Sequence, residues 1–126
     1  MLRRLLFFAA RSRLAGWIVG WVFAHMSWIL PVDRLHETEN LVAFYHPAPS
    51  YPLHILIVPK IARPSLMQLS DADSSFFVDL FATVRLLVER FDLAAGGYQL
   101  IANGGSYQDV PQVHFHLVGD KAREEG

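Results

Sequence analysis

Residues 112–120 (QVHFHLVGD) constrain the fold more than any other part of the chain. Apolar and polar residues alternate there at period two, the spacing of a strand with one face on a core. The other face carries Gln112, His114 and His116, spaced roughly 7 Å apart because two strand residues span that distance. Any domain built around this segment needs a sheet with one apolar side and one side bearing two rigidly held imidazoles. Neutral imidazoles in that arrangement can attack phosphorus, relay a proton or bind a metal.

The flanking residues add an anion site and an α+β layout. Gly96 and Gly97 read as a helix stop and residues 98–102 as a strand. That strand runs into residues 103–109 (NGGSYQD), rich in small residues and backbone donors. Such a turn lets N–H groups approach a phosphate without a side chain intervening. A plain hairpin turn using positive φ at Gly104 and Gly105 explains the same glycines. Upstream, residues 33–36 and 41–46 read as a hairpin, 47–52 as a stiff proline-rich loop and 54–59 as a buried strand. Ser70, Asp71 and Asp73 open the main helix with capping oxygens and acids at its positive end. Phe77, Leu80, Phe81, Val84, Val88 and Phe91 recur at helical spacing as its expected core stripe, with Arg85 and Glu89 outside.

Taken together these motifs resemble the histidine-triad (HIT) hydrolases and transferases of nucleotides. Asn103, Gly104, Gly105 and Gln108 match the family's turn, and His114 and His116 match its second and third histidines. Pro52, His54, Pro59 and Lys60 match its "proline, one residue, histidine, apolar strand, Pro-Lys" segment, and the likeness runs from about residue 22 to residue 120. The resemblance implies an antiparallel sheet of about five strands with one main helix against it. It makes His114 the nucleophile, forming a nucleotidyl-imidazole, with His116 and His54 bordering the phosphate. Gln108 and Asn103 would donate to phosphate or bridging oxygens, helped by the Gly105 turn and the backbone N–H groups of Asp109 and Val110. Gln112 stands where the first histidine falls, lining the same site with an amide that can orient a neighbour. His46 stands where the most similar branch carries an acid on the ribose hydroxyls. Family members commonly dimerise through the main helix and the sheet edge near residues 97–103.

Composition bounds the partners. A chain of 126 residues supports one domain with a real core. A net charge of −1 and no basic stripe beyond the first few residues exclude nucleic acid held by charge. With no cysteine there is no disulfide framework, and the Cys/His zinc site of some family members cannot form. Residues 14–30 (LAGWIVGWVFAHMSWIL) hold no Lys, Arg, Asp or Glu, and as a helix reach roughly 26 Å, the lower limit for a hydrocarbon core. Arg3, Arg4, Arg11 and Arg13 precede the run. Trp17, Trp21 and Trp28 share one helical face, and Gly16, Gly20 and Ala24 form a small-residue stripe. The expected organisation is a membrane-anchoring helix over residues 1–30 and a HIT-like domain over 31–126. The helix either spans the bilayer or lies in its plane; the four arginines send the domain across if it spans, nucleotide chemistry favours the cytoplasmic face, and an in-plane helix satisfies both.

The expected protein is thus a membrane-tethered HIT-type nucleotide hydrolase or nucleotidyl transferase, with a nucleotide or nucleotide conjugate as partner and no metal or cofactor. A homodimer or a larger membrane complex would surround it. One alternative is a HIT-fold accessory subunit of a membrane protein complex, with little or no catalysis. Another is a metal centre built from His54, His114 and His116, since three histidines can hold zinc with one open position.

Overall fold

The computed structural model describes residues 34–120. The anchoring helix expected over residues 1–30, with the domain boundary at its end, lies outside the described residues. Within them no helix is long and apolar enough to cross a membrane.

Five antiparallel strands form one sheet in the order β1-β2-β3-β5-β4: β1 Arg34–Glu37, β2 Leu41–Tyr45, β3 Leu53–Pro59, β4 Tyr98–Ala102 and β5 Phe115–Gly119. β3 takes the centre because almost every residue in it is apolar and can be covered on both faces. Leu41, Ala43, Leu53, Ile55, Ile57, Phe115 and Leu117 point to one side, where they pack on the helix. Val42, Phe44 and Val58 are buried on the other. Thr38 closes the first hairpin, its hydroxyl accepting from the N–H groups of Asn40 and Leu41 while donating to Asp79 on the helix.

The main helix, α1, runs Ser74–Arg90. Ser70 and Asp73 start it with a reciprocal capping box around one 3-10 turn, as the sequence signals. Its buried face is Phe76, Leu80, Thr83, Val84, Leu87 and Val88, continued by Phe91. Leu80, Val84, Val88 and Phe91 of the expected stripe are on this face, and the departures are at Phe77 and Phe81. Phe77 is half-buried and Phe81 is 58% exposed, while Phe76, Thr83 and Leu87 face the sheet. The chain offers two adjacent apolar registers here, and Phe76 against Phe115, with ring centroids 5.9 Å apart, selects the one that docks. A one-turn helix, α2 (Leu93–Gly96), ends at Gly97, whose φ of 97° only glycine adopts freely and whose N–H caps the Leu93 carbonyl. This sets the entry into β4, a sheet edge.

Candidate functional site

The site lies on the sheet face opposite α1. Leu56 pairs with His116 across β3 and β5, and His54 lies two residues before Leu56, so both histidines project from that face. His46 follows β2 and pairs with His54 through its backbone N–H to the His54 carbonyl. His114 precedes β5, and its ring meets that of His116 edge-on at 5.0 Å. Four of the chain's histidines converge on one patch.

Their ring protons are fixed by hydrogen bonding. The N–H of Ser50 donates to His54 Nδ1 at 3.1 Å, so the His54 proton is on Nε2 and points to His116 Nδ1, 2.8 Å away. The His116 proton is then on Nε2, a buried atom with no hydrogen-bond partner. His114 Nδ1 lies 2.8 Å from the backbone carbonyl of Gln112. A carbonyl only accepts, so Nδ1 carries a proton, and in the neutral ring the lone pair is then on Nε2. The Gln112 carbonyl thereby sets the orientation of the His114 ring.

All three clustered rings are biased toward neutrality. Burial, then the neighbouring His54, His116 and His114, push His46 down to about 4. Burial, then His114 and His54, push His116 down to about 4, and burial lowers His54. His46 packs on His54 with ring centroids 4.3 Å apart, and Tyr51 meets His54 edge-on.

Among the described residues the metal-capable grouping is His46, His54 and His116, whose ligand atoms lie within 4.8 Å of one another, and it does not include the expected His114. Hydrogen bonding opposes ligation. Backbone N–H groups of Ala48 and Ser50 donate to Nδ1 of His46 and His54. A histidine bound through Nε2 carries its proton on Nδ1 and needs an acceptor there; binding through Nδ1 displaces the same backbone donors. The trio is arranged as hydrogen-bonded neutral imidazoles.

Two expected phosphate contacts are differently engaged. Gln112 is 2% exposed and spans toward residues 59–63: Oε1 accepts from the Arg63 N–H at 3.2 Å and Nε2 donates to the Ile61 carbonyl at 2.9 Å. These bonds turn its side chain toward residues 59–63 rather than toward the histidine rings, in a stretch that precedes the β5 ladder. Gln108 donates from Nε2 to the carbonyls of Pro64 and Val110, so both amide protons expected for phosphate are in use. Asn103 is half-buried just after β4. A 3-10 turn, Gly105–Tyr107, replaces the two-residue hairpin; Gly105 alone of the glycine pair has a positive φ, 58°. Asp109, exposed, and Val110, half-buried, follow between that turn and the histidines.

Sequence reasoning missed Ser50 and Ala48, whose contribution is main-chain and carries no residue signature. It also missed Arg63, which holds Asp73 through Nη2 at 3.0 Å while its backbone meets Gln112 and Val113. The only trace of this brace in the chain is a lone basic residue ten positions before a helix-opening acid.

The HIT domain family model matches residues 30–123. The purine nucleoside phosphoramidase of Escherichia coli K12 is 29% identical over 94 residues, covering 73% of this chain and 79% of that protein. A 13.2 kDa HIT-like protein of Azospirillum brasilense is 32% identical over 95 residues, covering 73% and 78%. Among solved structures, a HIT family hydrolase from Legionella pneumophila superposes with a TM-score of 0.71 at 29% identity, over 79% of this chain and 88% of that one. A histidine triad protein from Clostridium difficile gives 0.73 at 24% identity, over 86% and 94%, a likeness of fold.

Proposed function

The chain belongs to the HIT domain family, and from that premise we propose that it is a nucleotide hydrolase or nucleotidyl transferase acting through a nucleotidyl intermediate on His114. The observation that carries this reading is the 2.8 Å hydrogen bond from His114 Nδ1 to the Gln112 carbonyl. It leaves the Nε2 lone pair available, and a neutral, oriented lone pair is what attack on phosphorus requires. The similarity to a purine nucleoside phosphoramidase makes a nucleoside phosphoramidate the substrate class to test first.

In this mechanism the Nε2–P bond forms as the bond from phosphorus to the leaving nitrogen breaks. The departing amine takes up a proton from solvent, and the oxygen of a water then bonds to phosphorus as the Nε2–P bond breaks, its proton passing to solvent and the nucleotide leaving with His114 neutral again. His116 donates a hydrogen bond from Nε2–H to a non-bridging oxygen, where charge gathers. The turn of Asn103, Gly105, Asp109 and Val110 borders the phosphate. Residues 1–30 tether the domain to a membrane, and a second copy docks along the exposed side of α1, where Val78 and Phe81 are 70% and 58% exposed, and on the β4 edge.

The test is single turnover with adenosine phosphoramidate, quench in alkaline denaturant and mass spectrometry of the full-length protein. A nucleotidyl group on His114, with loss of amine release in His114→Ala, is expected. Undiminished turnover by His114→Ala overturns the mechanism. A second reading, a non-catalytic accessory subunit of a membrane complex, is favoured by the engaged amides of Gln108 and Gln112. It predicts no turnover and no stabilisation by any nucleotide.

A further inference from the structure

We infer that Gln112 is the positioning residue for His114: its buried amide fixes the residue 112 carbonyl that holds the nucleophile's Nδ1–H. This rests on the proposed role of His114 but is separable from it.

The β5 ladder begins only at Phe115, which pairs with Ile57 and Ala102. Residues 111–114 therefore lack the ladder that would ordinarily hold a strand residue in place. Four hydrogen bonds do the equivalent. Gln112 Oε1 takes the Arg63 N–H, Gln112 Nε2 gives to the Ile61 carbonyl with that of Pro59 at 3.4 Å, and the Val113 N–H gives to the Arg63 carbonyl at 2.8 Å. Arg63 is itself held by Asp73, which closes the capping box at the start of α1. The exit of β3, the start of the main helix and the carbonyl on the nucleophile share one frame.

Only an amide suits this position. It accepts and donates from two atoms at the end of one short chain, matching an N–H and a C=O two residues apart. An apolar side chain leaves both backbone groups unpaired, and an ionised carboxylate cannot donate. If the carbonyl drifts, His114 loses its preferred tautomer, worth about a factor of two, and its aim, worth about 10- to 100-fold as for other orienting partners.

The test uses full-length protein labelled with ¹⁵N at histidine, read by NMR for the His114 tautomer and by phosphoramidate turnover. Wild type should show Nδ1–H at His114. Gln112→Met, near-isosteric but without polar ends, should show mixed tautomers, a kcat lowered about 10- to 100-fold and a KM changed less than about threefold. Gln112→Glu should recover the wild-type tautomer as its buried carboxyl is protonated and regains a donor. Its kcat should likewise rise relative to wild type as the pH falls through that titration. An unaltered His114 tautomer in Gln112→Met overturns the inference. Should that variant fail to fold, the absence of acid-dependent recovery in Gln112→Glu does so. Absence of turnover in wild type would count against the proposed function alone, because the tautomer comparison does not need catalysis.

Discussion

His54 hands its Nε2–H to Nδ1 of His116 across 2.8 Å, and that one bond fixes the polarity of the site. The proton order begins at a backbone amide, Ser50, and ends on His116 Nε2, which lies buried and unpartnered. A buried N–H without an acceptor costs about 1–3 kcal/mol, and a ligand oxygen at that point recovers it. The fold thus stores a directed donor next to an imidazole that presents a lone pair.

Cutting this relay should show in rate more than in stability. His54→Phe keeps the packing volume against Tyr51 and His46 but removes the donor to His116. We expect kcat for phosphoramidate to fall about 10- to 100-fold, the usual cost of an orienting partner. Wild-type kcat in a folded His54→Phe would show that the His116 tautomer does not matter.

Much of this was legible in the sequence, and the reasons are local. The buried strand of β3, the capping box at Ser70 and Asp73 and the stop at Gly97 each follow from short-range chemistry, and all three are present. His54 and His116 converge because period-two alternation and strand pairing place them on one face, and His114 meets them from just before β5. Gln112 departs from that pattern: it lies three residues before the ladder, where its side chain is drawn to residues 59–63. Apart from the bond of Gln108 to Val110, the side-chain hydrogen bonds of Gln112 and Gln108 reach partners 44 to 53 positions away, which no local pattern encodes. The choice of Phe76 over Phe77 for the core was likewise decided by Phe115 on a distant strand.

Acid should destabilise the protein in a window set by the histidines. His46 and His116 are lowered from 6.5 to about 4, and His54 is lowered from 6.5. Between those values the unfolded chain binds protons that the folded chain does not, so stability falls as pH drops from 6.5 and is flat above it from these groups. Glu37, Asp73 and Asp79 also have lowered values, but their contributions are lost only below their ordinary values of 4.5 and 3.8. The interval from pH 6.5 to 4.5 therefore reports the cluster. Melting temperature should decline across it and the decline should shrink in His46→Phe; a flat profile would refute the assignment.

Attachment to a membrane is tested by fractionation. Residues 14–30 are uncharged and follow four arginines, so full-length protein should sediment with membranes and resist high salt and alkaline carbonate. A chain starting at Pro31 should be released. Full-length protein recovered in the soluble fraction would rule the anchor out.

Restoring the family's first histidine should harm this protein. Gln112→His puts a ring where an amide now satisfies the Arg63 N–H and the Ile61 carbonyl. Imidazole nitrogens also number one donor and one acceptor, but Nδ1 sits one bond nearer the backbone than either end of the glutamine amide. The ring reaches one backbone group and leaves the other buried and unpaired, at about 1–3 kcal/mol. The carbonyl of residue 112 then shifts away from His114. We expect a lower melting temperature and a kcat below wild type, measured on the same phosphoramidate. A variant with turnover raised tenfold and undiminished stability would mean that the site is a weakened triad awaiting its histidine, and that the brace through Arg63 has no part in aiming His114.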